Sequence, residues 1–84
     1  MSTAIPRLTR TQRETLVLVA NGNTNEQIAN WRGVAAHSVA EVLTAAYRRL
    51  GATDRAQAVA LAIRYGLLHL SEIRLPNDSK ERPR

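Results

Sequence analysis

Apolar residues along this chain recur every three or four positions, which is the period of a helix with one buried face. The pattern is longest between residues 36 and 50, and little of the chain shows the alternation that a half-buried strand requires. A β fold is therefore disfavoured, and a helix is predicted over about 36–50. Its apolar stripe consists of Val39, Val42, Leu43, Ala46 and Leu50.

Start and stop signals predict three further helices. A Thr or Asp followed three residues later by Gln is typical of a capping box, which satisfies free N–H groups at a helix start. Glycine near the end of each apolar run is a stop signal, so helices are predicted over about 9–21, 25–32 and 54–65. The cap pairs are Thr9 with Gln12, Thr24 with Gln27 and, in a weaker form, Asp54 with Gln57. The predicted inward-facing residues are Leu16, Val19, Ala20, Ile28, Ala29, Ala58, Val59, Ala62 and Ile63.

The chain is long enough for one domain, since domains commonly have about 50–250 residues. We expect an N-terminal arm at residues 1–7, a helical domain at 8–70 and a tail at 71–84. The tail sequence, SEIRLPNDSKERPR, is polar and contains proline, which is typical of a flexible, disordered segment. The predicted fold class is all-α, with four helices followed by this flexible tail.

The residue types argue against several classes of protein. The 84 residues contain no cysteine, so neither a disulfide framework nor a thiolate metal site is available. His37 and His69 are far apart and the carboxylates are scattered, so we expect no metal, no cofactor and no enzyme activity. No apolar run approaches the ~18 residues of a membrane span, and no signal peptide is recognisable. We therefore expect a cytoplasmic protein without membrane contact.

The charge balance favours a nucleic-acid partner. Twelve basic against seven acidic side chains give a net charge of +5. The sequence pI of about 11.1 lies above the value of ~9 that is typical of nucleic-acid-binding domains. All the basic residues except Lys80 are arginine, which suits bidentate phosphate contacts. A well-solvated surface and a GC-rich genome explain the same features, so charge alone leaves DNA binding open.

The two middle helices have the dimensions of a helix-turn-helix unit. A short helix over 25–32 braces a longer one over 36–50, whose N-terminal half can then enter the major groove of DNA. Gly33 stands at the turn, where a Cβ would crowd the helices or force an unfavourable φ. Ala29 is small, which allows the two helices to cross closely.

Five short motifs follow one another along about three quarters of the chain. They are Leu8, Thr9, Gln12 and Leu16; Gly22, Asn25, Ile28 and Ala29; Gly33 and Val34 followed by Ser38 and Val39; Arg49, Leu50 and Gly51; and Arg55, Ala58, Val59, Ala62, Gly66, Leu67 and Leu68. With these motifs the chain resembles the LuxR/GerE family of helix-turn-helix DNA-binding domains. The resemblance implies a four-helix fold and a transcriptional regulator that binds double-stranded DNA with its third helix in the major groove.

The resemblance also implies which residues face DNA. The base-facing set on the third helix is His37, Ser38, Ala40, Glu41 and Thr44. Phosphate contacts are expected at helix ends, where arginine side chains and free N–H groups attract anions. The phosphate-facing set is Thr24, Asn25, Arg48, Arg49 and Arg55. Each residue of both sets is also compatible with an ordinary solvated position, and Thr24 and Asn25 also begin a helix.

The chain departs from the family pattern at several positions. Ala40 and Val42 stand where the family usually has a basic residue and a histidine, and Ala35 replaces the Ser or Thr that would cap the third helix. Arg32 occupies the position of a core leucine. We expect its stem to lie along the surface and Trp31 to cover part of the gap. Trp31 is interpreted as a partly buried packing residue whose position also permits a partner contact.

The fourth helix carries a dimer contact in proteins of this family. Leu61, Tyr65 and Leu68 are therefore expected to form an exposed apolar patch through which two copies associate. Such a homodimer would contact two DNA half-sites about 34–36 Å apart. The alternative is that these residues cover the first helix within one subunit.

Two functional hypotheses follow. The first is a stand-alone regulator that binds DNA with full or partial sequence specificity. Because the domain already begins at Leu8, no sensory domain is expected before it, and abundance or a partner would control activity. The second is a degenerate helix-turn-helix acting as a protein-interaction module, which binds another regulator or a polymerase component through the third or fourth helix. The features that favour the second are Ala40, Glu41 and Val42.

Overall fold

The computed structural model describes residues 4–76, which form four α-helices and one short 3-10 helix. The described residues contain no strand, so the predicted all-α class and the four predicted helices are confirmed. Residues 1–3 of the predicted arm and residues 77–84 of the predicted tail lie outside the described residues. The elements are α1 at Arg10–Ala20, α2 at Asn25–Arg32, α3 at Ala36–Leu50, α4 at Arg55–Arg64 and the 3-10 helix at Leu70–Glu72.

Two helices begin with the predicted capping boxes. At the start of α1 the Gln12 N–H donates to Thr9 Oγ1 over 3.0 Å, and the Thr9 N–H donates to Gln12 Oε1 over 2.9 Å. Thr24 and Gln27 repeat the exchange at α2. These pairs fix where the helices start, because four N–H groups of a helix start lack partners within the helix.

The third predicted box is only half formed. The Gln57 N–H donates to Asp54 Oδ1 over 2.8 Å, as predicted. Gln57 Oε1, however, accepts from the N–H and the hydroxyl of Thr53, one residue earlier than a reciprocal box requires. Asp54 therefore caps α4, and Gln57 instead holds the turn that precedes it.

α3 is the centre of the packing: like α1 it contacts each of the other three α-helices, and its contacts are the more extensive. Its apolar stripe is buried as predicted, except that Val42 is only partly buried. Fully buried Leu16 of α1 and Ile28 of α2 belong to the same cluster as the stripe. The buried cluster comprises Leu16, Val19, Ile28, Ala29, Val39, Leu43, Leu50, Ala58, Ala62 and Leu68.

The turn between α2 and α3 depends on the backbone conformation of Gly33. Its φ is +72°, in the left-handed region that disfavours side chains. The next residue closes the turn, since the Val34 N–H donates to the Ala29 carbonyl over 3.0 Å. A Cβ on Gly33 would have no heavy atom within 4 Å, so the expected crowding is wrong and the positive φ alone explains the glycine.

The segment after α4 packs back onto α1. Arg13 Nη1 of α1 donates to Glu72 Oε1 and Oε2 over 2.9 and 3.0 Å. The Asn21 amide donates to the Glu72 carbonyl over 3.0 Å and accepts from the Arg74 N–H over 2.6 Å. Residues 71–76, which composition had assigned to a disordered tail, therefore include a segment held on α1. Polar composition did not show this, because the partners are more than 50 residues away in sequence.

Glu72 is stabilised in its ionised form. The His69 N–H donates to its carboxylate over 3.0 Å, and the Arg13 guanidinium lies beside it. The hydrogen bond from His69, followed by the one from Arg13, lowers the pKa of Glu72 below its usual range.

No helix within residues 4–76 has the length and apolarity that crossing a membrane requires.

The start of α3 lacks a side-chain cap, because Ala35 occupies the N-cap and makes no side-chain hydrogen bond. Ala35→Ser supplies a hydroxyl acceptor for a free N–H, so we expect the free energy of unfolding to rise by about 1 kcal/mol. Urea unfolding of the free protein measures this. Thr24→Ala, which removes an existing cap, should lower the free energy of unfolding by a similar amount. The expectation is contradicted if Ala35→Ser gives no increase.

Glu72→Gln should lower the thermal midpoint at pH 7, where the carboxylate is ionised in both the folded and the unfolded chain. Because the folded pKa is depressed, the contribution of Glu72 is complete above the unfolded value of about 4.3 and is lost as the pH falls through the folded value. The difference in thermal midpoint between the natural protein and Glu72→Gln should therefore shrink as the pH falls below the unfolded value. Thermal unfolding at a series of acidic pH values would measure this. Glu14→Gln, at an exposed ion pair, is the matched control. A difference that stays constant into acid would contradict this account.

Candidate nucleic-acid interface

One stripe of α3 points away from the core and forms a shallow hollow of about 440 Å³. Each member has another member three or four residues away along the helix, so they lie on one face over a length of roughly 16 Å. His37, Glu41 and Thr44 are exposed, whereas Ala40 is partly buried. The lining residues are His37, Ala40, Glu41, Thr44, Ala45 and Arg48. The structure thus brings together four of the five residues predicted to face bases.

Ser38 lies apart from that hollow. It is partly buried in the first turn of α3, and its N–H donates to the Ala35 carbonyl over 3.0 Å. Because no side chain caps this turn, free N–H groups there remain open to an acceptor on a ligand. The backbone at this end of α3 is a potential anion contact that the base-facing set did not include.

The charges of the α3 hollow nearly cancel. Glu41 contributes one carboxylate and Arg48 one guanidinium, while Ala40 contributes no charge. A carboxylate at this place repels phosphate, although it can accept a hydrogen bond from cytosine N4. The hollow is therefore suited more to hydrogen bonding than to purely electrostatic attraction.

Positive charge is concentrated at the C-terminal end of α3. Arg48 and Arg49 line a second hollow of about 350 Å³ together with Gln12 and Ala45. This hollow continues the first, because Ala45 and Arg48 belong to both. Arg49 Nη1 donates to the Arg7 carbonyl over 3.1 Å, which ties the chain before α1 to α3.

Gln12 was missed as a residue of this surface. The capping box already gives its side chain a structural role at the start of α1. Nothing in the local sequence pattern relates α1 to the C-terminal end of α3. Only the packing of α1 against α3 brings Gln12 beside Arg48 and Arg49.

The start of α2 forms a separate hollow of about 380 Å³. Arg55 of α4, which the sequence assigns to the phosphate-facing set, lies here, but its guanidinium is already engaged. Its Nη1 donates to Asn25 Oδ1 and its Nη2 to the Asn23 carbonyl, both over 2.8 Å. Arg55 therefore links the start of α4 to the turn between α1 and α2. Its position relative to Thr24 and Asn25 is fixed by these bonds.

The exposed patch predicted on α4 is not formed. Leu68 is 1% exposed and belongs to the core, so its side chain offers no surface to a second copy. Leu61 and Tyr65 are partly buried and pack against the same cluster. The cause is the turn at Gly66, after which the Leu67 and Leu68 N–H groups both donate to the Ala62 carbonyl. This turn takes Leu68 off the period of α4 and into the core.

Trp31 also differs from its prediction. It is 73% exposed, so it is not a partly buried packing residue and does not cover the gap beside Arg32. Arg32 itself is exposed, as expected for a charged side chain at a position that an apolar residue would fill.

The described titratable groups are not gathered into one centre. Within residues 4–76 no three His, Asp or Glu side chains lie where they could hold one metal ion. His37 belongs to α3, whereas His69 follows α4.

Arg55→Ala should destabilise the protein, because it removes two hydrogen bonds that join α4 to the α1–α2 turn. Bonds of this kind contribute about 1–3 kcal/mol to the free energy of unfolding. Arg55→Lys keeps the charge but lacks the fork that reaches both acceptors, so it should recover only part of the loss. Urea unfolding measures both variants against Arg64→Ala, an exposed arginine of α4. Equal stability of the Arg55 and Arg64 variants would refute the link.

Comparison with known proteins identifies this architecture. The model of the GerE family, described as bacterial regulatory proteins of the luxR family, matches residues 6–62. A protein of Hyphomicrobium methylovorum described as "Probable transcriptional regulatory protein SgaR" is 45% identical over 56 residues, which are 67% of this chain and 26% of that protein. The chain thus spans about a quarter of the length of this relative. Since the family model matches more than half of the residues, the resemblance is confirmed: the chain belongs to the luxR family of bacterial regulatory proteins.

Proposed function

We propose that this chain binds double-stranded DNA as part of a transcriptional regulator, with α3 in the major groove. The observation that carries the proposal is the division of α3 into two faces. One face is buried against the other helices, and the other presents His37, Glu41 and Thr44 to solvent. The similar protein is named as a transcriptional regulatory protein, which supports the regulatory part of the proposal.

The dimensions of α3 suit the major groove. Its 15 residues give a length of roughly 22 Å, and a groove about 12 Å wide admits a single helix. α1 and α2 pack against its buried face, so the exposed stripe can enter the groove without loss of the core.

Phosphate contacts would come from two places, the end of α3 and the separate hollow at the start of α2. Arg48 and Arg49 extend from the last turn of α3, and the start of α2 at Thr24 and Asn25 offers free N–H groups with a favourable helix dipole. Arg55 then acts mainly as a positioning residue, since its guanidinium holds the side chain of Asn25. A phosphate near Asn25 would lie next to this cation.

Sequence preference would come from few contacts. Glu41 can accept from cytosine N4, and Ser38 and Thr44 can donate or accept. Because Ala40 contributes neither charge nor hydrogen bonds, we expect weaker and less selective binding than a basic residue at this position would give.

Homodimerisation through α4 stays a prediction, but Leu68 is no longer part of the expected contact. Leu61 and Tyr65 are partly engaged with the core of their own subunit, so they offer less apolar surface than expected.

The second candidate is a protein-interaction module that keeps the fold but has lost DNA binding. The observation in its favour is the near cancellation of charge in the α3 hollow, where Glu41 opposes Arg48 and Ala40 is apolar. In that case the same stripe would contact another regulator or a polymerase component.

Titration with random duplex DNA over a series of salt concentrations tests the proposal. We expect measurable binding at low salt and a steep decrease as salt is added, since each neutralised phosphate contributes about 0.9 to the slope of log K against log salt. The double variant Arg48→Ala with Arg49→Ala should reduce this slope by about two, or about one for each arginine. Arg64→Ala, on the last turn of α4, is the matched control and should leave the slope unchanged.

Ala40→Lys separates the two candidates. If the stripe faces DNA, an added ammonium should raise the affinity about tenfold or more, because one such contact is worth about 1–3 kcal/mol. Absence of binding at low salt in both the natural chain and Ala40→Lys would reject DNA binding and favour the interaction module.

A further inference from the structure

A groove between α1 and α2 takes no part in the interface described above. It has a volume of about 410 Å³, and its apolar walls are Val17 and Leu18 of α1 and Trp31 of α2. The Arg13–Glu72 ion pair and Arg32 also line it. A second, larger hollow of about 870 Å³ adjoins it, since the two share these apolar walls.

The groove exists because a charged residue stands on the buried face of α2. Position 32 follows Ile28 by four residues and Ala29 by three, so it lies on the same helix face as these two buried residues. An apolar side chain there would pack against α1. The guanidinium of Arg32 requires water, so the side chain is exposed and the space beside α1 is left open.

The charges around the groove are complementary to an acidic ligand. Of the two carboxylates that line it, Glu72 is paired with Arg13, and Glu14 is paired with Arg10. Among residues 4–76, the guanidinium groups of Arg32 and of Arg74, which lines the adjoining hollow, form no hydrogen bond or ion pair. Within this described part of the chain, two cations therefore have no carboxylate partner.

We propose that this groove binds an acidic amphipathic helix of a partner protein. Apolar side chains of that helix enter between α1 and α2 against Trp31, and its carboxylates meet Arg32 and Arg74. Tryptophan and arginine are among the residue types enriched at the hot spots of protein interfaces, and here an exposed tryptophan stands next to an arginine. The proposal goes beyond DNA binding and does not depend on it, because none of the residues that line the groove belongs to the α3 stripe.

A DNA strand fits this groove less well than an acidic peptide. Its walls at Val17, Leu18 and Trp31 are apolar, whereas a phosphate backbone needs polar partners.

Trp31 makes the experiment direct, because it is the single tryptophan of the 84 residues. The probe is a synthetic helical peptide with Leu and Phe at i, i+3, i+4 and i+7 and Glu at the remaining positions. Its twin carries Lys in place of Glu. We expect a saturable blue shift of Trp31 fluorescence with the Glu peptide and at least about tenfold weaker binding of the Lys twin, since like charges are then brought together.

Variants locate the binding site. Arg32→Glu and Arg74→Glu should each weaken binding of the Glu peptide about tenfold by calorimetry, whereas Arg64→Glu on α4 should not. Arg32→Leu should raise the thermal midpoint, because the leucine fills the groove, and should also abolish peptide binding. Loss of charge alone would weaken binding without raising the thermal midpoint. Arg48→Ala should leave peptide binding intact, so that failure of the DNA proposal and failure of this one are distinguishable.

Three results would each overturn the proposal. The first is no saturable shift of Trp31 fluorescence with the Glu peptide. The second is equal binding of both peptides, which would mean that charge complementarity is absent. The third is a shift on addition of duplex DNA together with loss of DNA affinity in Arg32→Glu, which would assign the groove to nucleic acid.

Discussion

The burial of one stripe of α3 is the interaction on which the rest of the structure depends. Val39, Leu43 and Leu50 lie in the common core, and α1, α2 and α4 all pack around this helix. Because a helix has a fixed period of 3.6 residues, burying these positions determines which side chains point outward. The orientation of the candidate DNA-binding stripe therefore follows from hydrophobic packing. It needs no specific polar contact of its own, and for that reason its polar residues can change without loss of the fold.

The helices and their ends could be predicted from the sequence because their causes are local. The capping boxes at Thr9 and Thr24 each involve residues three apart, and the buried stripe of α3 repeats over a few turns. The links between distant segments could not be predicted in this way. Arg55 binds Asn23 across 32 residues, and Arg13 binds Glu72 across 59. No local pattern relates such pairs, so Arg55 was assigned to phosphate and Glu72 to a disordered tail.

The candidate site shows the same division between local and distant causes. Outward positions such as Glu41 and Thr44 follow from the helical period, and the structure places them on the expected face. Leu68 does not, because the turn at Gly66 ends the period before it is reached. Trp31 is another residue whose exposure depends on the packing of distant segments. Its neighbour Arg32 resists burial and leaves the α1–α2 packing incomplete, and therefore a large aromatic side chain stays in water.

The arginines of this small domain serve different physical purposes, which is why net charge alone is a poor guide to function. Arg13 and Arg55 hold separate parts of the chain together and are partly buried. Arg48 extends from the α3 surface, whereas Arg32 lies beside the groove next to α1. The arginines of the described residues are thus divided between the fold, the candidate DNA surface and the groove. Since the α3 stripe and the α1–α2 groove share no residues, a substitution can alter one surface while the other keeps its geometry.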